Sequence, residues 1–281
     1  MELKKVKELQ IIATEARLNG LEAIHCANSG HVGGAFSSVD IMALLFFDKM
    51  KNIDPKNPKR SDRDRFVLSK GHCTAALYPI LAQRGFFPVE DLKTFRKIDS
   101  YLSGHVEMNH VPGVDMSSGS LGQGLSVAVG MAIGGKLDKK DFTVYAMMGD
   151  GEIQEGQIWE AAMAAAKYKL DNLIGIVDYN GLQIDGTVED IMPIEPLADK
   201  WIAFGWEVFS VDGHDFVELS DTFDKAKSVK GKPIMIIANT VKGKGVSFME
   251  NNLAWHGSPP NEDEYQRAKK ELQAQLQKLE G

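Results

Sequence analysis

The residues best suited to chemistry lie between Gly149 and Gly186, in the stretch GDGEIQEGQIWEAAMAAAKYKLDNLIGIVDYNGLQIDG. Gly149 and Gly151 flank Asp150, so a backbone can approach a ligand where a side chain would clash. Asp150 offers a carboxylate. Asn180, thirty residues on, offers an amide oxygen, and the backbone carbonyl of Leu182 is available to point the same way. A carboxylate, an amide oxygen and a carbonyl suit a hard cation, Mg²⁺ or alternatively Ca²⁺. Three protein ligands leave an octahedral ion short, which is how Mg²⁺ binds when phosphates complete its shell. The pattern predicts a diphosphate ligand carried on a metal.

The elements that must hold these groups follow from the flanking patterns. An apolar run over Phe142–Met148 reads as a buried strand, the Ala-rich segment from about Ile153 to Tyr168 as a helix, and Leu173–Val177 as a second strand. Asp150 and Asn180 then sit in turns at the carboxyl ends of neighbouring strands, where open parallel sheets bind ligands. Upstream, a helix is expected over Leu3–Ala27 and another over Ser38–Lys49, capped by Ser37 or Ser38. Phe66–Leu68 is a short strand and Thr74–Arg84 a helix. Downstream, a helix is expected near Glu195–Phe204, a strand over Trp206–Val211, a helix over Asp215–Lys230 and a strand over Pro233–Asn239. A charged, solvated helix over 261–279 closes the chain. This order predicts an α/β, doubly wound, mostly parallel sheet with helices on both faces, built as one domain over residues 1–281.

Four of the seven histidines fall in Gly-punctuated turns: His31, His72, His105 and His256. His72 stands in the Ser69-Lys70-Gly71-His72 turn that ends the Phe66–Leu68 strand. His25, His110 and His214 read as structural. No HExxH or Cys/His spacing supports zinc. Gly119-Ser120-Leu121-Gly122-Gln123-Gly124 opens a helix running to about Gly135; such an opening is a good anion site through its free N–H groups, and could equally serve close packing of that helix, as the Gly130 and Gly134 spacing suggests. Thr240-Val241-Lys242-Gly243-Lys244-Gly245 is a second loop able to meet phosphate, without the spacing of a P-loop.

The composition is that of an ordinary globular chain: 281 residues, 43% hydrophobic, net charge −7. An acidic chain with no basic block argues against a nucleic-acid partner. Cys26 and Cys73 alone make no disulfide framework. The start, MELKKVKELQ, reads as a charged helix and not a secretory signal, and no run reaches the length of a membrane span. A cytoplasmic location without a membrane partner is expected.

GDGEIQEGQIWEAA followed by DYNGLQIDG resembles the thiamine-diphosphate enzymes, and transketolases in particular. CANSGHVGGAFSSVDIM, LSKGHCTAALYPIL and the Gly119–Gly124 segment extend the resemblance, with Val32 and Ser120 standing where the family usually has Pro. It covers nearly the whole chain and implies the amino-terminal, diphosphate-binding part of a transketolase. The implied cofactors are thiamine diphosphate and Mg²⁺. The implied metal ligands are Asp150, Asn180 and Leu182. His72, Gly119, Leu121, Gly151, Asn180 and His256 are implied to contact the cofactor, and His31, His105 and His256 to serve sugar oxygens and proton transfer. The implied reaction moves a two-carbon glycolaldehyde unit from a ketose phosphate to an aldose phosphate, as in pentose phosphate metabolism. The family's activating glutamate and ring-binding aromatics belong to a second domain that has no counterpart here. The resemblance thus implies an obligate carboxyl-terminal partner chain, an α2β2 heterotetramer, and a chain inert by itself. Two alternatives remain at this level: the α-subunit of a 2-oxo acid dehydrogenase, which the His31, His72, His256 set argues against, and a non-catalytic cofactor-binding domain.

Overall fold

A computed structural model describes all 281 residues. The apolar runs form five strands: β1 (Arg65–Leu68), β2 (Val144–Gly149), β3 (Leu173–Tyr179), β4 (Glu207–Asp212) and β5 (Ile234–Asn239). They pair in the order β1-β2-β3-β5-β4, every pair parallel. A parallel sheet needs cover on both faces, because its strands are apolar on both. The strand residues alternate accordingly. Phe66, Tyr145, Met147, Ile174, Ile176 and Ile236 face one apolar core, and Val67, Ala146, Met148, Val177, Met235 and Ile237 face another.

The first core is covered by α1 (Leu3–Ala27), α2 (Val32–Leu44), α3 (Thr74–Gln83), α8 (Phe216–Ser228) and α9 (Glu262–Glu280). The second is covered by α4 (Gln123–Leu137), α5 (Gly156–Lys167) and α7 (Leu197–Ala203); α6 (Val188–Ile191) is a single turn between the last two in sequence. Phe216, Leu219, Phe223 and Ala226 point inward from α8 as their spacing requires. Gly175 on β3 leaves room for the Met235 side chain of the neighbouring β5: a Cβ there would lie 2.5 Å from the Met235 methyl. No helix is long and apolar enough to cross a membrane.

Five local readings are corrected. The second helix begins at Val32, not Ser38, because Gly33 and Gly34 serve close approach rather than a loop. A Cβ on Gly33 would lie 3.0 Å from both the Lys242 Cγ and the Trp255 carbonyl. Ser37 and Ser38 are therefore buried mid-helix and cap nothing; Ser37 donates to Asp178 Oδ2 at 2.6 Å. The helix expected from Ile153 is a 3₁₀ turn over Gly151–Gln154 and then α5. Asp178 and Tyr179, read as turn, extend β3, where Asp178 is fully buried. The closing helix is amphipathic rather than solvated all round: Tyr265, Ala268 and Leu272 pack into the core beside α1, and Asn261 and Glu264 form a reciprocal capping box.

Candidate active site

The carboxyl ends of β1, β2, β3 and β5 surround a cavity of about 380 Å³. All ten residues singled out in the sequence line it: His31, His72, His105, Gly119, Leu121, Asp150, Gly151, Asn180, Leu182 and His256. A larger cleft, about 530 Å³, lies near Arg63 and Asp115, away from these groups. The cavity's position is that of a ligand crevice in an open α/β sheet.

Four histidines form one wall. The His31 ring centroid lies 4.9 Å from that of His72, 5.9 Å from His256 and 6.3 Å from His105, and His72 stacks on His256 at 5.7 Å. Burial, then the charges of Arg96 and its neighbours, pulls His31 down to about 4. Burial and Lys70 pull His72 down to about 2. Burial and Lys242 pull His256 down to about 4. His105 is also lowered, by burial and Arg96. The wall is neutral at physiological pH, so each ring offers one donor and one acceptor. His25, stacked on Tyr265, and the exposed His110 lie elsewhere.

The floor is charged. Lys70 and Asp178 form a fully buried ion pair, and Asp178 also accepts from Ser37 and Thr240 while Lys70 donates to the Gly34 carbonyl at 2.9 Å. The pairing holds Asp178 below and Lys70 above their ordinary ranges, against the pull of burial. Asp150 has no such partner. It accepts N–H bonds from Gly151 at 2.7 Å and Gly181 at 2.5 Å, yet burial and the nearby Asp178 push it up to about 6. That is the signature of a carboxylate short of positive charge.

The donor set fits a hard cation. Asp150 has a buried oxygen pair, Asn180 Oδ1 accepts only a 3.2 Å bond from the Leu182 N–H, and the Leu182 carbonyl faces the same cavity. That carbonyl now accepts from Lys242 Nζ at 2.9 Å, so a cation already attends it. Lys242 also lies 2.9 Å from His256 Nδ1, and burial with Lys70 lowers it to about 8.

One site expectation is corrected. The Gly-rich opening of α4 is not a vacant anion site. Glu152, 2% exposed, fills it from inside: its carboxylate accepts from Gly122 N at 2.9 Å, Gly149 N at 3.0 Å and the Ser69 hydroxyl. Glu152, Lys70 and Asp178 were missed as site residues. Lys70 stands next to Gly71-His72 and Glu152 next to Gly151, so adjacency was the available signal. Asp178 gave none, since a carboxylate before Tyr-Asn-Gly reads as turn.

Residues 8–279 match the family described as the transketolase thiamine diphosphate binding domain. The chain is 49% identical to a 6-deoxy-6-sulfo-D-fructose transketolase subunit of Clostridium sp. (strain MSTE9), over 95% of this chain and 96% of that one. It is 44% identical to an apulose-4-phosphate transketolase subunit of Phocaeicola vulgatus, over 98% of both. The crystal structure of transketolase from Campylobacter jejuni superposes with a TM-score of 0.89 at 34% identity, over 99% of this chain and 46% of that one. The chain thus spans about half the length of that transketolase.

Proposed function

The chain belongs to the transketolase thiamine diphosphate binding domain family, and from that premise we propose that it is the amino-terminal subunit of a two-chain transketolase. Its enzyme transfers a two-carbon glycolaldehyde unit from a ketose phosphate, or a ketose with another anionic end, to an aldose phosphate. The observation that carries this reading is the single cavity gathering a cation donor set, close-approach glycines and four neutral histidines at parallel strand ends. The two relatives of matching length, both named as subunits, support a second chain. The exposed Leu121 and Ile184 on the cavity rim support a partner that closes it. Residues 1–281 are read as one diphosphate- and metal-binding unit. A two-fold heterotetramer in the cytoplasm, acting on pentose phosphates, is the assembly in keeping with it.

Thiamine diphosphate, when bound, supplies the electron sink for carbon–carbon cleavage. The residues here position the rest. Asp150, Asn180 and Leu182 would hold Mg²⁺, and Gly151 and His72 the diphosphate. Gly119 and Leu121 would meet the cofactor ring. His31, His105 and His256 stay neutral, so they orient sugar oxygens by hydrogen bonds and pass a proton without holding a net charge. Lys242 stands between His256 and the Leu182 carbonyl and keeps that edge of the cavity positive.

The test is substrate choice by the assembled enzyme. The chain is purified with its co-purifying partner, then given xylulose 5-phosphate with an aldose phosphate, or pyruvate with an electron acceptor. Two-carbon transfer with the ketose supports the reading. Oxidative decarboxylation of pyruvate without ketose turnover places the chain among 2-oxo acid dehydrogenases instead.

A further inference from the structure

We infer that His214 is a positioning residue: held by Asp40, its imidazole pins the backbone of the loop that carries Lys242 into the cavity. The turn Asp212-Gly213-His214-Asp215 joins β4 to α8 and lies outside the cavity lining. It is pressed against the end of β5. Gly213 N donates to the Asn239 carbonyl at 2.8 Å, and a Cβ on Gly213 would lie 2.5 Å from the Thr240 methyl.

From that turn the His214 ring, 12% exposed, makes two bonds. Its Nε2 lies 2.9 Å from the Val241 N–H, and its Nδ1 lies 2.6 Å from Asp40 Oδ2. A backbone N–H only donates, so Nε2 must be a bare acceptor, and the ring's proton must sit on Nδ1 and be donated to Asp40. One tautomer satisfies both contacts. Asp40 is itself fixed by a two-pronged Arg17 pair at 3.0 and 2.7 Å, and Arg17 also donates to the Phe36 carbonyl. The acceptor presented to Val241 is therefore anchored through two helices, α1 and α2.

Val241 immediately precedes Lys242, whose ammonium reaches the Leu182 carbonyl and His256 Nδ1. Gly243 N is tied to the Gly33 carbonyl at 3.0 Å on the far side. The backbone flanking Lys242 is thus anchored on one side by the α2 backbone and on the other by a side chain, and its own carbonyl accepts from Asn251 N at 2.9 Å. Release of the side-chain anchor lets Lys242 shift away from His256. The arrangement belongs to this chain and is tested without any reaction, so its failure leaves the proposed activity untouched.

The experiment uses the full chain with ¹⁵N-labelled histidine at pH 7. Two-bond ¹⁵N–¹H spectra should show His214 protonated at Nδ1 and bare at Nε2. His214→Gln puts an amide oxygen near the Nε2 position and keeps an acceptor for Val241. His214→Asn reaches only Asp40 and loses it. In the Asn variant the Val241 amide should exchange about tenfold faster, the worth of one hydrogen bond, and the His256 ring signals should move. In the Gln variant both should stay near wild type. A wild-type His214 that is charged or protonated at Nε2 overturns the inference, and that arm needs no variant to fold. So does an Asn variant with unchanged Val241 exchange and His256 signals, or a Gln variant indistinguishable from it.

Discussion

Asp150 is the sole carboxylate in the donor set proposed for the cation. Burial and the nearby Asp178 outweigh its two amide bonds and the charge of Lys70, and it sits at about 6 as a result. Asp150→Ala should therefore abolish Mg²⁺-dependent thiamine diphosphate binding by the assembled enzyme, read by calorimetry. Unchanged cofactor affinity would remove the metal assignment. His256 sits beside Lys242 and two other neutral rings, where a hydrogen bond to substrate and passage of a proton are its available chemistry. His256→Ala should lower turnover on the order of a hundredfold while weakening cofactor affinity much less. Loss of cofactor binding with turnover intact at saturating cofactor would reverse the assignment.

At the level of elements, the site is held by buried charges that act on helix ends and helix pairs. Glu152 satisfies three buried donors at the junction of β1, β2 and the start of α4. Glu152→Ala orphans them and should cost about 3 kcal/mol in thermal unfolding, with Glu152→Gln losing less. A loss under about 0.5 kcal/mol would mean that these donors find water. Asp40 ties α1 to α2 through Arg17, and its carboxyl lies at about 2, burial being outweighed by Arg17 and His214 together. The folded value lies below the unfolded one, so its stabilisation is complete above about 4 and disappears as pH falls through about 2. Asp40→Asn should thus lower the unfolding free energy at pH 7 by about 2 kcal/mol, and the gap to wild type should narrow in urea titrations as pH falls from about 4 towards 2. A gap independent of pH would contradict this. The strands and α8 were legible because apolar runs and inward spacing survive any tertiary context. The early start of α2 was not, since Gly33 and Gly34 look like a loop until Lys242 and Trp255 are packed against them. Glu152 was illegible as a cap because the helix it caps begins about thirty residues earlier in the chain.

For the molecule as a whole, the ten residues chosen from local turns converge on one cavity because each turn sits at a strand end or against it. That convergence was implicit in the strand-helix-strand order. The ion pair beneath it, Lys70 with Asp178, was not, because it joins two strands that no local pattern relates. In the proposed function the cavity is the diphosphate and metal half, its rim is open and partly apolar, and an obligate partner would stabilise such a half by mass action. The most direct measurement is two-carbon transfer by the 281-residue chain purified by itself, supplied with thiamine diphosphate, Mg²⁺, a ketose phosphate and an aldose phosphate, before and after addition of its co-purifying partner. Turnover should be absent from the isolated chain and appear on addition of the second. Robust turnover by the isolated chain would contradict the two-chain reading, because the carboxylate that activates the cofactor would then lie within these residues.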